Sequence, residues 1–189
     1  MKQVLSAEYL ILLTIDNNGG QLSSKTLLQK RTYFLSVLLD FDMSFKAHFY
    51  GPFSPEIESC LTQLKTLGFI EERPIKFGIA DTVGFEYRRY DYELTDDGEE
   101  IVASLNKTYP REVKRVNAVL DKLKEAGDTG DYVSLSIAAK INHILRMGER
   151  EMGFNEIKGA AKKLGWSIGD QEIEKAASFL KNLKLVSVH

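Results

Sequence analysis

The order of patterned segments is what most constrains this chain. Three helical stretches come first, then two β-rich runs, then helix again. Residues 6–17 crowd Tyr9, Leu10, Leu12 and Leu13 together and stop at Asn17-Asn18-Gly19-Gly20, since glycine closes helices in the left-handed conformation. Ser23 or Ser24 caps a second helix running to about Leu39. Its apolar positions are Leu27, Phe34, Leu35, Leu38 and Leu39, and its polar ones Gln29, Tyr33, Ser36 and Asp40, which predicts an amphipathic helix. An aromatic, extended stretch over residues 45–50 leads to Gly51-Pro52-Phe53-Ser54-Pro55 and a third helix. Ser54 is placed as N-cap, Pro55 at the first helical position, and Glu56 in the first turn, where the helix dipole favours negative charge. Ile57, Cys60, Leu61, Leu64 and Leu67 form the expected core face and Gly68 the stop; Glu58, Ser59, Thr62, Gln63 and Lys65 face outward.

Residues 69–72 read as a short strand, and residues 75–79 and 85–94 as a hairpin about the loop 80–84. Phe85 and Tyr87 differ in parity from Tyr90, Tyr92 and Leu94, so a β-bulge at Arg88-Arg89 is expected to bring all five to one face. Leu94 then passes into a helix capped by Thr95 or Asp96. The fold expected is an α-rich α+β fold: a winged helix-turn-helix over residues 1–109 with a helical C-terminal extension over 110–189. In that architecture the third helix is the one offered to DNA. A looser α+β arrangement shares the elements without the packing.

The extension repeats helical periodicity over residues 112–125, 132–147, 155–164 and 171–183, with residues 127–130 as a linker. Val113, Val116, Leu120 and Leu123 stand at a and d spacing, either packing on the first unit or forming the seam of a homodimer. Ile57, Cys60, Leu61, Leu64, Leu67, Phe69 and Ile70 recur 116 positions later as Ile173, Ala176, Ala177, Leu180, Leu183, Leu185 and Val186. The extension could therefore hold a second, wingless helix-turn-helix-like unit, although any amphipathic helix running into a strand has this spacing.

A lone cysteine, Cys60, makes no internal disulfide and suits a reducing cytoplasm. The start shows no secretion signal, and the longest apolar run, residues 9–13, is too short for a membrane span. Neither a catalytic constellation nor a cofactor or metal site is expected. His48, His143 and His189 lie far apart, there is no phosphate-binding glycine loop, and Asp96, Asp97, Glu99 and Glu100 open a helix whose dipole they stabilise.

What remains is binding. For a nucleic-acid contact the candidates are Lys25, Lys30 and Arg31 on the second helix, Ser59, Thr62, Gln63 and Lys65 on the third, and Arg88 and Arg89 on the wing. The charge distribution opposes this. Residues 1–109 carry 11 Lys+Arg against 16 Asp+Glu, a net of −5, while the remainder carries 14 against 11, a net of +3. Glu56 and Glu58 would repel phosphates but suit a basic protein surface, with Tyr50 and Phe53 as anchors. Lys158, Lys162, Lys163, Lys175, Lys181 and Lys184 could add a basic surface.

Leu28-Gln29-Lys30 with Tyr33-Phe34, followed by Phe49-Tyr50-Gly51-Pro52-Phe53-Ser54-Pro55-Glu56-Ile57, resembles the Panacea (SocA-like) antitoxin domain over about residues 5–70. It is similar also to poorly characterised archaeal and bacterial winged-helix proteins with a longer helical C-terminus. The Leu94-Thr95-x-x-Gly98 exit from the wing resembles that of many winged-helix regulators. The antitoxin resemblance implies a module that neutralises or tethers a protein partner, sometimes alongside regulation of transcription, and offers no catalytic residues. The expectation is a non-enzymatic, cytoplasmic, DNA-binding regulator-like protein acting on double-stranded DNA, or alternatively a protein-protein interaction module of antitoxin type.

Overall fold

Helix α1 (Ala7–Asp16) has no polar face over its centre: Leu10, Ile11, Leu12, Leu13 and Ile15 are all 0–1% exposed. Such a helix needs neighbours on every side, and the rest of the chain supplies them. The computed structural model describes residues 5–76, 88–148 and 152–186. After α1 come β1 (Gln21–Ser23), α2 (Lys25–Leu39), α3 (Pro55–Thr66), β2 (Ile70–Lys76), β3 (Arg88–Leu94) and α4 (Asp96–Thr108). The C-terminal region is helical: α5 (Pro110–Ala126), α6 (Tyr132–Gly148), α7 (Phe154–Lys163) and α8 (Asp170–Asn182).

The sheet is antiparallel in the order β1-β3-β2, the winged-helix arrangement, with Leu22 opposite Tyr92 at its centre, both 1% exposed. The strand β1 is not foreseen from the sequence, because three residues with one apolar side chain carry no periodicity. The expected run 69–72 and the first arm of the hairpin are one strand, β2, and Pro74 is tolerated there because β2 is an edge. No bulge occurs at Arg88-Arg89: the register runs unbroken from Lys76↔Arg88 to Ile70↔Leu94. Phe85, Tyr87 and the loop 80–84 lie outside the described residues. At the exit, the Thr95 hydroxyl accepts the Gly98 N–H at 3.1 Å and donates to the Gly68 carbonyl at 2.6 Å. A Cβ at Gly98 would stand 2.2 Å from the Phe69 carbonyl oxygen, so only glycine lets α4 start this close to β2.

α2 departs most from expectation. The sequence predicts a polar side, yet every residue from Leu27 to Ser36 is buried. The reason is tertiary: α5 and α6 cover the face that would otherwise meet water. One apolar cluster runs through both halves of the chain. Val113, Val116, Leu120 and Leu123 belong to it, at 0–2% exposure, so the side chains at a and d spacing pack within the chain. Leu67, expected in the core, is 57% exposed because the helix has ended at it.

The echo at 116 residues extends to how the helices close. Leu67 and Leu183 are the right-handed C-caps of α3 and α8, and Gly68 and Lys184 both follow in the left-handed region. Phe69 then donates to the Leu64 carbonyl as Leu185 does to that of Leu180.

Candidate interaction face

The segment between α2 and α3 is held by a clamp. Lys46 and Phe53 exchange both backbone hydrogen bonds at 2.9 Å, and His48 and Gly51 exchange another pair inside them. Gly51 takes φ +98°, and a Cβ there would lie 3.1 Å from Lys140 Cγ and 3.3 Å from Lys30 Cε. The positive φ therefore favours glycine, and the space beside it is tight. From α2, Gln29 donates to the Ser54 carbonyl at 3.0 Å and accepts the Ser54 N–H at 2.9 Å. Lys30 Nζ donates to the Pro52 carbonyl at 2.7 Å. From the far side, Trp166 Nε1 donates to the His48 carbonyl at 2.7 Å. Gln29-Lys30 and Gly51-Pro52 are thus the two sides of one structural device.

Two assignments from the sequence need correction. Lys30, a candidate phosphate contact, is 1% exposed and committed to Pro52. Burial pushes its ammonium down to about 7, with the Lys140 charge adding to the shift. Arg31, another candidate, is 3% exposed. Its Nε donates to Asp128 at 2.8 Å and its Nη1 to Asn18 at 2.7 Å. Both side chains belong to the interior because α6 and the 127–131 connection cover α2.

Ser54 is the N-cap of α3 by position, but its hydroxyl makes no capping bond; the oxygen is buried without a partner. Pro55 and Glu56 follow it, exposed. Ser59, Thr62 and Gln63 face solvent, as foreseen, and the Thr62 hydroxyl turns back to the Glu58 carbonyl at 2.9 Å.

Four cations beside this face are bridged to carboxylates. Lys25 pairs with Glu58 at 3.0 Å and Lys65 with Glu72 at 2.8 Å. At the base of the wing, Arg73 bridges to Glu71 at 3.3 Å and Glu93 at 2.6 Å, while Arg89 grips both Asp91 oxygens at 2.7 and 2.9 Å. Arg88 opens β3 opposite Lys76. Glu56 enters no ion pair with a described residue. The outcome is a polar face of acidic character, since a carboxylate answers each of these bridged cations.

Beside it lies an aromatic group larger than the sequence suggests. Tyr50 is half-buried, edge-on to Phe49 with centroids 5.0 Å apart and to Tyr132 at 6.5 Å. Phe53 is half-buried against His48 at 5.2 Å. Phe49 is 61% exposed, and Tyr132 and Val133 at the start of α6 are also exposed. The sequence marks Phe49 as aromatic but gives no sign that α6 brings Tyr132 alongside.

Cys60, on the inner side of α3, donates its thiol to Glu8 at 3.2 Å, and burial pushes it up to about 12, which makes it a poor nucleophile. In the C-terminal region Lys158 pairs with Asp170, and Lys162, Lys163, Lys175, Lys181 and Lys184 are exposed. Among the described residues no helix is long and apolar enough to cross a membrane.

The chain is similar to the uncharacterized protein YwgA of Bacillus subtilis (strain 168), 30% identical over 92 residues. That stretch is 48% of this chain and 51% of YwgA, so the match spans about half of each. No family model matches the chain.

Proposed function

We propose that this chain is a non-catalytic winged-helix module that binds a protein partner through the exposed side of α3 and the aromatic turn preceding it. The observation that carries this reading is the state of the cations. A duplex-reading surface needs lysines and arginines free to replace the counterions of the phosphates. Here Lys30 and Arg31 are interior, and Lys25, Lys65, Arg73 and Arg89 are already answered by carboxylates. Glu56 adds an open negative charge at the start of α3. A basic protein surface matches that sign, and Phe49, Tyr50 and Phe53 supply the apolar anchors that concentrate affinity in protein interfaces. The resemblance to the antitoxin domain points the same way, because the residues carrying it build and present this turn.

The test is site-specific photocrosslinking in the native host from positions 59 and 62, with position 97 on α4 as control. A discrete protein adduct at 59 and 62, lost on Glu56→Lys with Phe49→Ala, is the expected result. Adducts to DNA at those positions, or no adduct beyond the control, would refute the reading and restore the duplex-binding alternative.

A further inference from the structure

We infer that the corner between α4 and α5 is a docking surface for the phosphate backbone of duplex nucleic acid, carried by Lys107, Arg111, Lys114 and Arg115. Lys107 stands in the last turn of α4; Arg111, Lys114 and Arg115 share one face of α5 at i, i+3 and i+4 spacing. All four are exposed, because Val113, Val116 and Leu120 hold the opposite side of α5 in the core. None forms an ion pair with a described carboxylate, unlike the bridged cations flanking α3. Glu112 is half-buried on the flank of this face and bridges to none of them. On α4, Glu99 and Glu100 lie seven or eight residues before Lys107, roughly 10–12 Å back at 1.5 Å per residue. Asp121, further along α5, is occupied by Asn17 at 3.1 Å and faces Lys124 at 3.8 Å.

Four like charges held on a rigid corner repel one another, and a polyanion relieves that repulsion. The surroundings decide which polyanion. The large exposed apolar side chains among the described residues are Phe49, Leu67, Tyr132, Val133, Met147 and Phe154, none of them on this corner. Tyr109 is half-buried and packs inward. The corner therefore has no anchor for a protein hot spot, no open ring for stacking single-stranded bases, and no apolar face to enter a bilayer. Duplex backbone binding requires none of these, only fixed cations spaced along a surface. The surface is separate from α3, and it stands whether or not the protein-binding reading does.

The test uses the full chain and an arbitrary-sequence duplex of about 20 base pairs, titrated by fluorescence anisotropy at low and moderate salt. Four phosphate contacts predict a log–log salt slope of about −3.6, or a loss on the order of 100-fold between 50 and 200 mM salt. Arg111→Gln with Arg115→Gln should reduce the slope magnitude by about two. Arg111→Glu with Arg115→Glu should abolish binding, and unchanged far-UV circular dichroism and melting would show that both variants fold. Absence of duplex binding by the parent at low salt overturns the inference, as does full retention by the folded double-glutamate variant. Preference for vesicles containing phosphatidylserine over the duplex would overturn it too.

Discussion

Gln29 closes on the backbone of Ser54 from both sides, donating through Nε2 to the carbonyl at 3.0 Å and accepting the N–H through Oε1 at 2.9 Å. The two residues are 25 positions apart, and all these atoms are buried. The amide mimics a strand neighbour and fixes where α3 begins. Gln29→Ala would leave the buried Ser54 N–H unpaired, at a cost of about 1–3 kcal/mol, while the Ser54 carbonyl keeps the Glu58 N–H at 3.3 Å. A fall of about 1–3 kcal/mol in unfolding free energy is expected from urea titration. A loss below about 0.5 kcal/mol would mean that water replaces the clamp.

Ser54 itself should be replaceable. An N-cap serine ordinarily contributes about 1 kcal/mol through its hydroxyl, which is what the sequence alone predicts for this position. The hydroxyl oxygen here is buried and makes no hydrogen bond, so its removal forfeits nothing and relieves an unpaired group. Ser54→Ala should therefore match or slightly exceed the parent in urea midpoint. A midpoint lowered by the usual cap penalty would show that the hydroxyl caps α3 in solution.

The contrast between these two residues marks what was legible in the sequence. Positions of helices could be read because caps and periodicity are local: Thr95 caps α4 and Pro55 opens α3 where their types predict. Environments could not, because they depend on distant segments. Arg31 and Asp128 are 97 residues apart, and nothing near either announces the other. Lys30 looked like a surface cation because lysines usually are, and only the placement of α6 makes it interior. For the same reason the outward side of α3 is legible in its own periodicity, whereas the carboxylates that bridge Lys25 and Lys65 are not. The charge imbalance of the two halves was visible from composition, but which cations remain open required the fold.

The Arg31–Asp128 pair ties the connection between α5 and α6 to the middle of α2. Its side chains are 4% and 1% exposed, and Asp128 also accepts the Gly130 N–H at 2.9 Å. Removing one partner of such a pair strands a charge in the interior, at a cost of about 3–5 kcal/mol. Asp128→Ala should show this loss in chemical unfolding and expose the 127–131 segment to limited proteolysis. The double change Arg31→Met with Asp128→Leu should recover most of the stability, since neither charge is then buried. A double variant less stable than Asp128→Ala would show that shape, not charge, governs the site.

Lys30 should give the fold a pH dependence of its own. Burial holds its folded pKa at about 7, whereas an unfolded lysine titrates near 10.4. Between those values the unfolded chain binds a proton that the native one lacks, so stability rises with pH, by up to about 1.4 kcal/mol per pH unit. Below about 7 both states carry the proton, above about 10.4 neither does, and in those ranges Lys30 adds no slope. Lys140 and His143, also lowered by burial, contribute slopes of the same sign. The informative quantity is therefore the difference between the parent and Lys30→Met, in which the Pro52 carbonyl loses its donor at every pH. Across pH 6 to 9, in unfolding titrations at constant ionic strength, the parent should gain on the variant as pH rises through about 7. Parallel stability curves would mean that Lys30 keeps its proton throughout, and that the ammonium is better solvated around the Gly51-Pro52 turn than the structure allows.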